Sequence, residues 1–338
     1  MTSPRVSVIV PCYNEQTTIG LLLDALHAQT FPREAMEVVI ADGMSTDGTR
    51  EVIAAWKQAH PDLAVQVIDN PQRIIPAALN RAIAASRGEI IVRLDAHSVP
   101  APDYIARSVA ALEAGRGDNV GGVWKIRPSG PGWIARSIAA AAAHPLGVGD
   151  AHYRHATTAA AVDTVPFGAF YRRLLDKVGS FDETLLTNED YEFNTRIREA
   201  GGTIWLDPAI HSTYFARATL RALARQYWRY GYWKAQMLRR YPHTLRWRQA
   251  LPPLFVLGLL LLALLSPFHV VFRVLLALQI GAYALALLAA GLHVAWKQRD
   301  PALLAGFPLA VAVMHLSWGS GLLWGLLHPP RHPKSSSE

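Results

Sequence analysis

Cysteine is nearly absent from this chain: Cys12 is the only one in 338 residues, which excludes an internal disulfide and any multi-cysteine metal site. Its place beside Tyr13 suggests packing over reactivity. Acidic residues are missing from the whole stretch between Asp207 and Asp300. The start lacks a signal peptide, because Met1 to Arg5 lead straight into an apolar run with no cleavable segment, so the leading domain is expected in the cytoplasm. There is no internal repeat and no DNA- or RNA-binding pattern, so no nucleic-acid partner is expected. The net charge of +7 then reads as contact with anionic lipid and phosphate. Low-complexity composition is confined to the tail from His328, whose Pro, Lys and Ser content reads as disordered.

Apolar residues make up 51% of the chain and concentrate after Ala250. Leu251 to Leu265, Val274 to Leu292 and Leu303 to Leu327 each approach the roughly 20 residues a helix needs to cross a bilayer. They are apolar on every face, which disfavours a buried helical core. The first is opened by Pro252 and Pro253 and closed by Pro267, so a re-entrant hairpin with the second stays open. Nine basic residues from Arg217 to Arg248 precede the first segment, marking that flank as cytoplasmic. Lys297 and Arg299 lie on the same side if the first two segments span. Three spans leave Arg331 and Lys334 outside, an exception to the charge rule. Arg217, Arg221, Arg225 and Arg229 recur every fourth residue among Tyr227, Trp228, Tyr232 and Trp233, the pattern of a helix in the headgroup layer.

The polar two-thirds reads as α/β. Val6 to Val10 is a β-branched run that breaks into PCYNE (Pro11 to Glu15), and Val38 to Ala41 ends in DGMSTDGT (Asp42 to Thr49). Two buried strands thus deliver acidic loops to one edge, a crevice suited to a nucleotide, although Asp47 also suits ordinary helix capping. A third strand, Ile90 to Val92, runs into RLDAHS, where Asp95 and His97 stand two residues apart. Alone this is compatible with a surface turn; at the carboxyl edge of the same sheet it offers oxygen and nitrogen donors to a divalent metal. Glu189 and Asp190 open an amphipathic helix whose Phe193 and Ile197 face the core and whose Gly201 and Gly202 end the pattern. Consecutive carboxylates cannot point the same way along a helix, so they can divide their roles.

PCYNE, DGMSTDGT, the block from Asn80 to His97, GSFDE at Gly179 to Glu183 and NEDYEFNTRIREAGG from Asn188 to Gly202 together resemble the inverting glycosyltransferases of family two, with the GT-A fold. The likeness covers about the first two-thirds of the chain. It is nearest to membrane-anchored bacterial exopolysaccharide glucosyltransferases of the succinoglycan type, where Asp-Ala-His similarly replaces the more usual Asp-x-Asp. The resemblance implies a UDP-sugar donor, a polyprenyl-linked acceptor, and a divalent ion, Mn2+ or Mg2+, on Asp95 and His97, with His211 either joining it or only structural. It assigns the base to Asp190 and hydroxyl contacts to Glu189. Pro11, Tyr13, Glu15, Asp42, Arg73, Asn80, Asp95 and Ala96 would bind the nucleotide sugar. Met44 departs from the small residue usual in its loop. Phe167 and Gly168 resemble the glycine loop beneath the acceptor. Gln226, Arg229 and Tyr230 resemble the Gln-x-x-Arg-Trp element of membrane polysaccharide synthases, which lies by the diphosphate and acceptor.

The organisation expected is a GT-A catalytic domain over residues 1–215, amphipathic interface helices over 216–249, about three transmembrane helices over 250–328 and a disordered tail over 329–338. The function expected is hexose transfer, glucose foremost, to a polyprenyl-linked saccharide at the cytoplasmic face of a bacterial inner membrane. A polyprenyl-phosphate sugar synthase and a catalytically silent membrane scaffold are the alternatives. A processive polymer synthase would need more apolar segments to build a channel.

Overall fold

The computed structural model describes residues 3–329, and from residue 330 the expected tail lies outside them. The chain divides into two compact units. The first comprises the residues up to Arg127 together with Ala151–Phe215; the second comprises Pro128–Asp150 together with the chain from Ala216. Sequence order alone assigned 128–150 to the catalytic domain, but this segment packs with the C-terminal helices.

The elements in chain order begin with β1 (Val6–Cys12), α1 (Ile19–His27), β2 (Met36–Asp42), α2 (Thr49–Ala59), β3 (Ala64–Asp69), α3 (Ile75–Ala85) and β4 (Ile90–Arg93). They continue with β5 (Val99–Pro100), α4 (Tyr104–Glu113), β6 (Asn119–Pro128), α5 (Trp133–Ala142), α6 (Pro145–Val148), β7 (Ala160–Ala161) and β8 (Ala169–Tyr171). The rest are α7 (Leu174–Val178), α8 (Glu189–Glu199), β9 (Ile204–Ala216), α9 (Leu220–Arg240), α10 (Trp247–Leu265), α11 (Val270–Gln298) and α12 (Leu303–Leu327).

The strands of the first unit form one mixed sheet in the order β3-β2-β1-β4-β8-β6-β9-β5, with β7 paired to β9. Strands β1 to β4 run parallel, whereas β8 is antiparallel to β4 and β6. The parallel part is covered on both faces, which is why β1, β2 and β4 read as continuous apolar runs. Val6, Val8 and Val10 face Leu22, Leu26 and Ile53, while Ile9 and Val39 face Leu79, Ile83 and Phe193. The pairing Cys12 with Asp42 ends β1 and β2 at the same level, and β4 lies beside β1 with Ile9 opposite Arg93. The carboxyl ends of these three strands therefore open along one edge. Cys12 is buried, and burial pushes its thiol well above the ordinary range, consistent with packing.

The second unit holds α5, α6 and α9 to α12. Three helices are apolar and long enough to cross a membrane: α10, α11 and α12. Helix α10 begins at Trp247 and continues through Pro252 and Pro253, so the prolines do not open it.

Candidate active site

Arg93 organises the site. It is the last residue of β4 and its side chain is 3% exposed. One guanidinium nitrogen, Nη2, donates to Glu189 Oε1 at 2.8 Å and to Asp95 Oδ1 at 3.1 Å, and Nη1 pairs with Asp190 Oδ1. Burying an isolated guanidinium would cost several kcal/mol, about what makes unpaired buried ions untenable. Here three carboxylates outweigh that desolvation, and the arginine is held above its ordinary pKa. The acids come from two places in the chain, the β4 exit and the first turn of α8, and converge on one cation.

Asp190 departs furthest from ordinary carboxylate behaviour. Burial pushes its pKa up to about 7, with Glu189 and Asp95 adding repulsion and Arg93 pulling the other way. Its Oδ2 accepts from the Phe167 backbone N–H at 3.4 Å. Phe167 and Gly168 both have left-handed backbone, with φ of 68° and 47°. For phenylalanine this costs on the order of 1 kcal/mol or more, so its surroundings must hold it. The ring is buried, with the Arg93 guanidinium 5.8 Å from its centroid and Trp124 at 5.5 Å. Trp124 in turn stacks on Tyr214 at 4.4 Å, and Arg154 lies over both rings and over Tyr153. The sequence reading assigned no role to Arg93, Trp124 or Arg154. A charge closing an otherwise apolar strand, Ile-Ile-Val-Arg, was the available signal for the first.

Asp95 is a quarter exposed, and its carbonyl accepts from the Ser98 N–H and hydroxyl in a tight turn. The turn buries Ala96 and leaves His97 partly exposed, with Nδ1 3.0 Å from Glu15 Oε1. Glu15 also accepts from the Thr18 hydroxyl. Thus PCYNE and RLDAHS meet. Among the described residues no three His, Cys, Asp or Glu side chains converge as a metal cage. One carboxylate with a nearby imidazole nonetheless fits an ion that takes its remaining ligands from water and a diphosphate, as small hard cations commonly do.

The other expected residues are distributed unevenly. Tyr13 is exposed beside Pro11 at the end of β1. Asp42 is fully buried; its oxygens accept from the Ser45 hydroxyl at 2.5 Å and Arg50 Nε at 2.6 Å. A nucleoside contacting it must share it with those partners. Met44 takes a left-handed φ of 60°, so its loop does adopt an unusual shape. Arg73 is exposed in the loop before α3. Asn80 uses both ends of its amide to hold Phe181, and it donates to Glu183 at 2.9 Å, so it braces the GSFDE turn. Asp207 and Pro208 form no turn; they lie inside β9, which continues through His211. His211 Nε2 sits 2.7 Å from Lys125 Nζ and its Nδ1 3.2 Å from the Ala209 carbonyl, so lysine occupies the nitrogen a metal would need. Gln226, Arg229 and Tyr230 lie on α9 of the second unit, where Gln226 donates to the Tyr230 hydroxyl at 2.9 Å.

A mixed sheet of this order, with acidic loops along the edge of its parallel half and a C-terminal helical unit, is the GT-A-like architecture of nucleotide-sugar transferases. The family model "Glycosyl transferase family 2" matches residues 7–179, and the chain belongs to that family. The chain is 34% identical over 331 residues to succinoglycan biosynthesis protein ExoA of Rhizobium meliloti (strain 1021), covering 97% of this chain and 96% of that protein. It is 26% identical over 329 residues to a dolichyl N-acetyl-alpha-D-glucosaminyl phosphate 3-beta-D-2,3-diacetamido-2,3-dideoxy-beta-D-glucuronosyltransferase of Methanococcus voltae, covering 95% of this chain and 97% of that one. Among solved structures it resembles mannosyltransferase PcManGT of Pyrobaculum calidifontis, in complex with GDP-Man and Mn2+. The TM-score is 0.57 at 25% identity, over 94% of this chain and 88% of that chain.

Proposed function

We propose that this enzyme transfers a hexose, glucose from UDP-glucose foremost, with inversion onto a polyprenyl-linked saccharide at the cytoplasmic face of a bacterial inner membrane. The observation that carries the reading is the Arg93 cluster, which holds a partly buried carboxylate with a pKa near neutrality among two others. A general base works best when its pKa lies near the working pH. The likeness to a succinoglycan biosynthesis protein supports exopolysaccharide assembly, and the likeness to a dolichyl-phosphate-linked transferase supports a lipid-linked acceptor.

In this reading an acceptor hydroxyl oxygen attacks the sugar C1 as ionised Asp190 takes its proton. The bond from C1 to the phosphate oxygen breaks on the opposite side, and the nucleoside diphosphate leaves with the electron pair. Attack opposite the leaving group inverts C1. Arg93 keeps Asp190 and Glu189 aligned, and Glu189 accepts from sugar hydroxyls. Asp95 and His97 would hold a divalent cation, Mn2+ or Mg2+, which when bound supplies charge stabilisation to the departing diphosphate. Pro11, Tyr13, Glu15, Asp42, Arg73 and Ala96 form the donor side; Phe167, Gly168, Gln226, Arg229 and Tyr230 are assigned to acceptor and diphosphate.

Offering purified protein a panel of labelled nucleotide sugars with membrane lipid extract should give saturable transfer from one donor into a lipid-linked saccharide. Label on bare lipid phosphate would instead support the phosphosugar synthase, and no transfer or donor hydrolysis would support the silent scaffold.

Imidazole in place of a second carboxylate lowers the negative charge at the metal position and favours Mn2+ over Mg2+. His97→Asp should stay active and shift its preference toward Mg2+, and His97→Ala should weaken Mn2+ binding in an electron paramagnetic resonance titration. Unchanged affinity and metal dependence in the alanine variant would remove His97 from the ligand set.

A further inference from the structure

Helix α12 differs from the other two apolar helices in what surrounds it. In its most apolar stretch 39% of residues are buried, against 11% in α10 and in α11. Leu309, Leu316 and Leu327 fall on one stripe with Trp324 at its border, while Leu304 and Leu326 are exposed away from it near the helix ends. The elements covering it are not all membrane-type helices. At the start, Gly306 leaves room only for Ser137 and Trp133 of α5, whose Arg136 pairs with Asp300 in the turn before α12. Midway, His315 Nε2 lies 2.8 Å from the Leu146 carbonyl of α6, and its Nδ1 lies 3.0 Å from the Tyr283 hydroxyl.

The last third of α12 is packed on the arginine-rich flank. A Cβ at Gly321 would collide with the Trp228 carbonyl of α9, and one at Gly325 with Tyr232 and Ala235. Gln236 donates to the Gly325 carbonyl at 3.0 Å, and Arg239 to the Leu326 carbonyl at 2.7 Å. The Trp318 indole donates to the Gln249 carbonyl at 3.3 Å, in the first turn of α10.

These contacts conflict with a crossing. Gly306 and Gly325 stand about 28 Å apart along a helix rising 1.5 Å per residue, nearly the full thickness of a hydrocarbon core of roughly 30 Å. If α12 crossed, its far end would carry α9, with exposed Arg229, Arg239 and Arg240, and the start of α10 to the opposite side. Each arginine held in the hydrocarbon costs at least about 2.5 kcal/mol. Helices α10 and α11 differ. They expose apolar side chains on most faces, and Phe268 at their turn is 78% exposed, so lipid must cover them.

We infer that only the α10–α11 hairpin crosses the bilayer, and that α12 is seated in one leaflet with both of its ends on the side where it begins. Its exposed stripe meets the acyl chains of that leaflet. The inference rests on the membrane-bound reading above. It also removes the charge-rule exception raised by a third crossing.

The test uses the full-length protein in its membrane with single-cysteine variants Phe268→Cys, Arg299→Cys and His328→Cys, since native Cys12 is buried. Each is treated with a membrane-impermeant maleimide in spheroplasts and in inside-out vesicles, with a denatured sample confirming the thiol. Phe268→Cys should label only in spheroplasts; Arg299→Cys and His328→Cys should label only in inside-out vesicles. Labelling of His328→Cys in spheroplasts while Arg299→Cys is protected would overturn the inference, as would protection of His328→Cys in both preparations or failure of Phe268→Cys to label opposite Arg299→Cys. Labelling of Arg299→Cys and His328→Cys together in spheroplasts, with Phe268→Cys labelling only in inside-out vesicles, would leave the inference standing and refute the cytoplasmic orientation instead.

Discussion

Asp190→Asn should leave nucleotide-sugar binding nearly intact and lower transfer by a factor on the order of 100 or more, the scale of losing a positioned base. The amide preserves the shape of the side chain but cannot take the acceptor proton. The wild-type pH profile should carry the same signature. In the proposed mechanism Asp190 acts ionised, and its pKa is raised to about 7, so activity should fall as pH drops through that value. In Asp190→Asn the residual rate should lose that acid limb. Near-normal turnover in the variant would remove Asp190 from the mechanism and favour a phosphate nucleophile, which is already ionised and needs no base.

The second large effect concerns Arg93, which touches all three acids of the site. Arg93→Gln leaves these carboxylates without their cation. Breaking a buried ion pair by removing one partner typically costs about 3–5 kcal/mol, so thermal unfolding should shift clearly downward and transfer should be lost. Arg93→Lys retains the charge, but a compact ammonium lacks the planar fork that reaches several acids at once. That variant should fold, keep a fraction of the activity and move its acid limb above pH 7, because weaker pairing leaves burial to raise the Asp190 pKa further. A merely structural arginine would change stability without moving the profile. An Arg93→Lys enzyme with wild-type pH dependence would therefore deny Arg93 its positioning role.

Much of the crevice was legible because its residues sit at strand exits. Asp42, Asp95 and His97 each follow a short β-branched run, and Glu189 with Asp190 opens a helix with a recognisable apolar repeat. Arg93 was harder to read because a cation closing an apolar strand looks like its solvent edge. Only the fold shows that two of its three partners, Glu189 and Asp190, lie about a hundred positions away. The bracing by Asn80 was not legible for the opposite reason: it belongs to a motif-bearing block, and only the fold shows its amide engaged by the Phe181 turn. His211 followed an apparent Asp-Pro turn that is in fact continuous strand.

The unit that segment 128–150 joins and the surroundings of helix α12 were illegible for one reason. Composition records how apolar a stretch is but not what covers it. Leu303 to Leu327 reads as a span whether lipid or protein lies against it, and its partners on α5, α6 and α9 come from elsewhere in the chain. The prolines and glycines from Pro128 to Gly132 mark the departure from the sheet, but only contacts show which unit the following helix joins.

The most direct measurement of the proposed chemistry is the anomeric configuration of the transferred sugar in the lipid product, made from an α-linked nucleotide donor by wild-type protein in membranes and compared with Asp190→Asn. The proposed mechanism predicts a β-linked product from the wild-type enzyme and, from the variant, a yield of that product lower by a factor on the order of 100 or more. An α-linked product, or equal yields of β-linked product from both proteins, would contradict single-displacement transfer with Asp190 as the base.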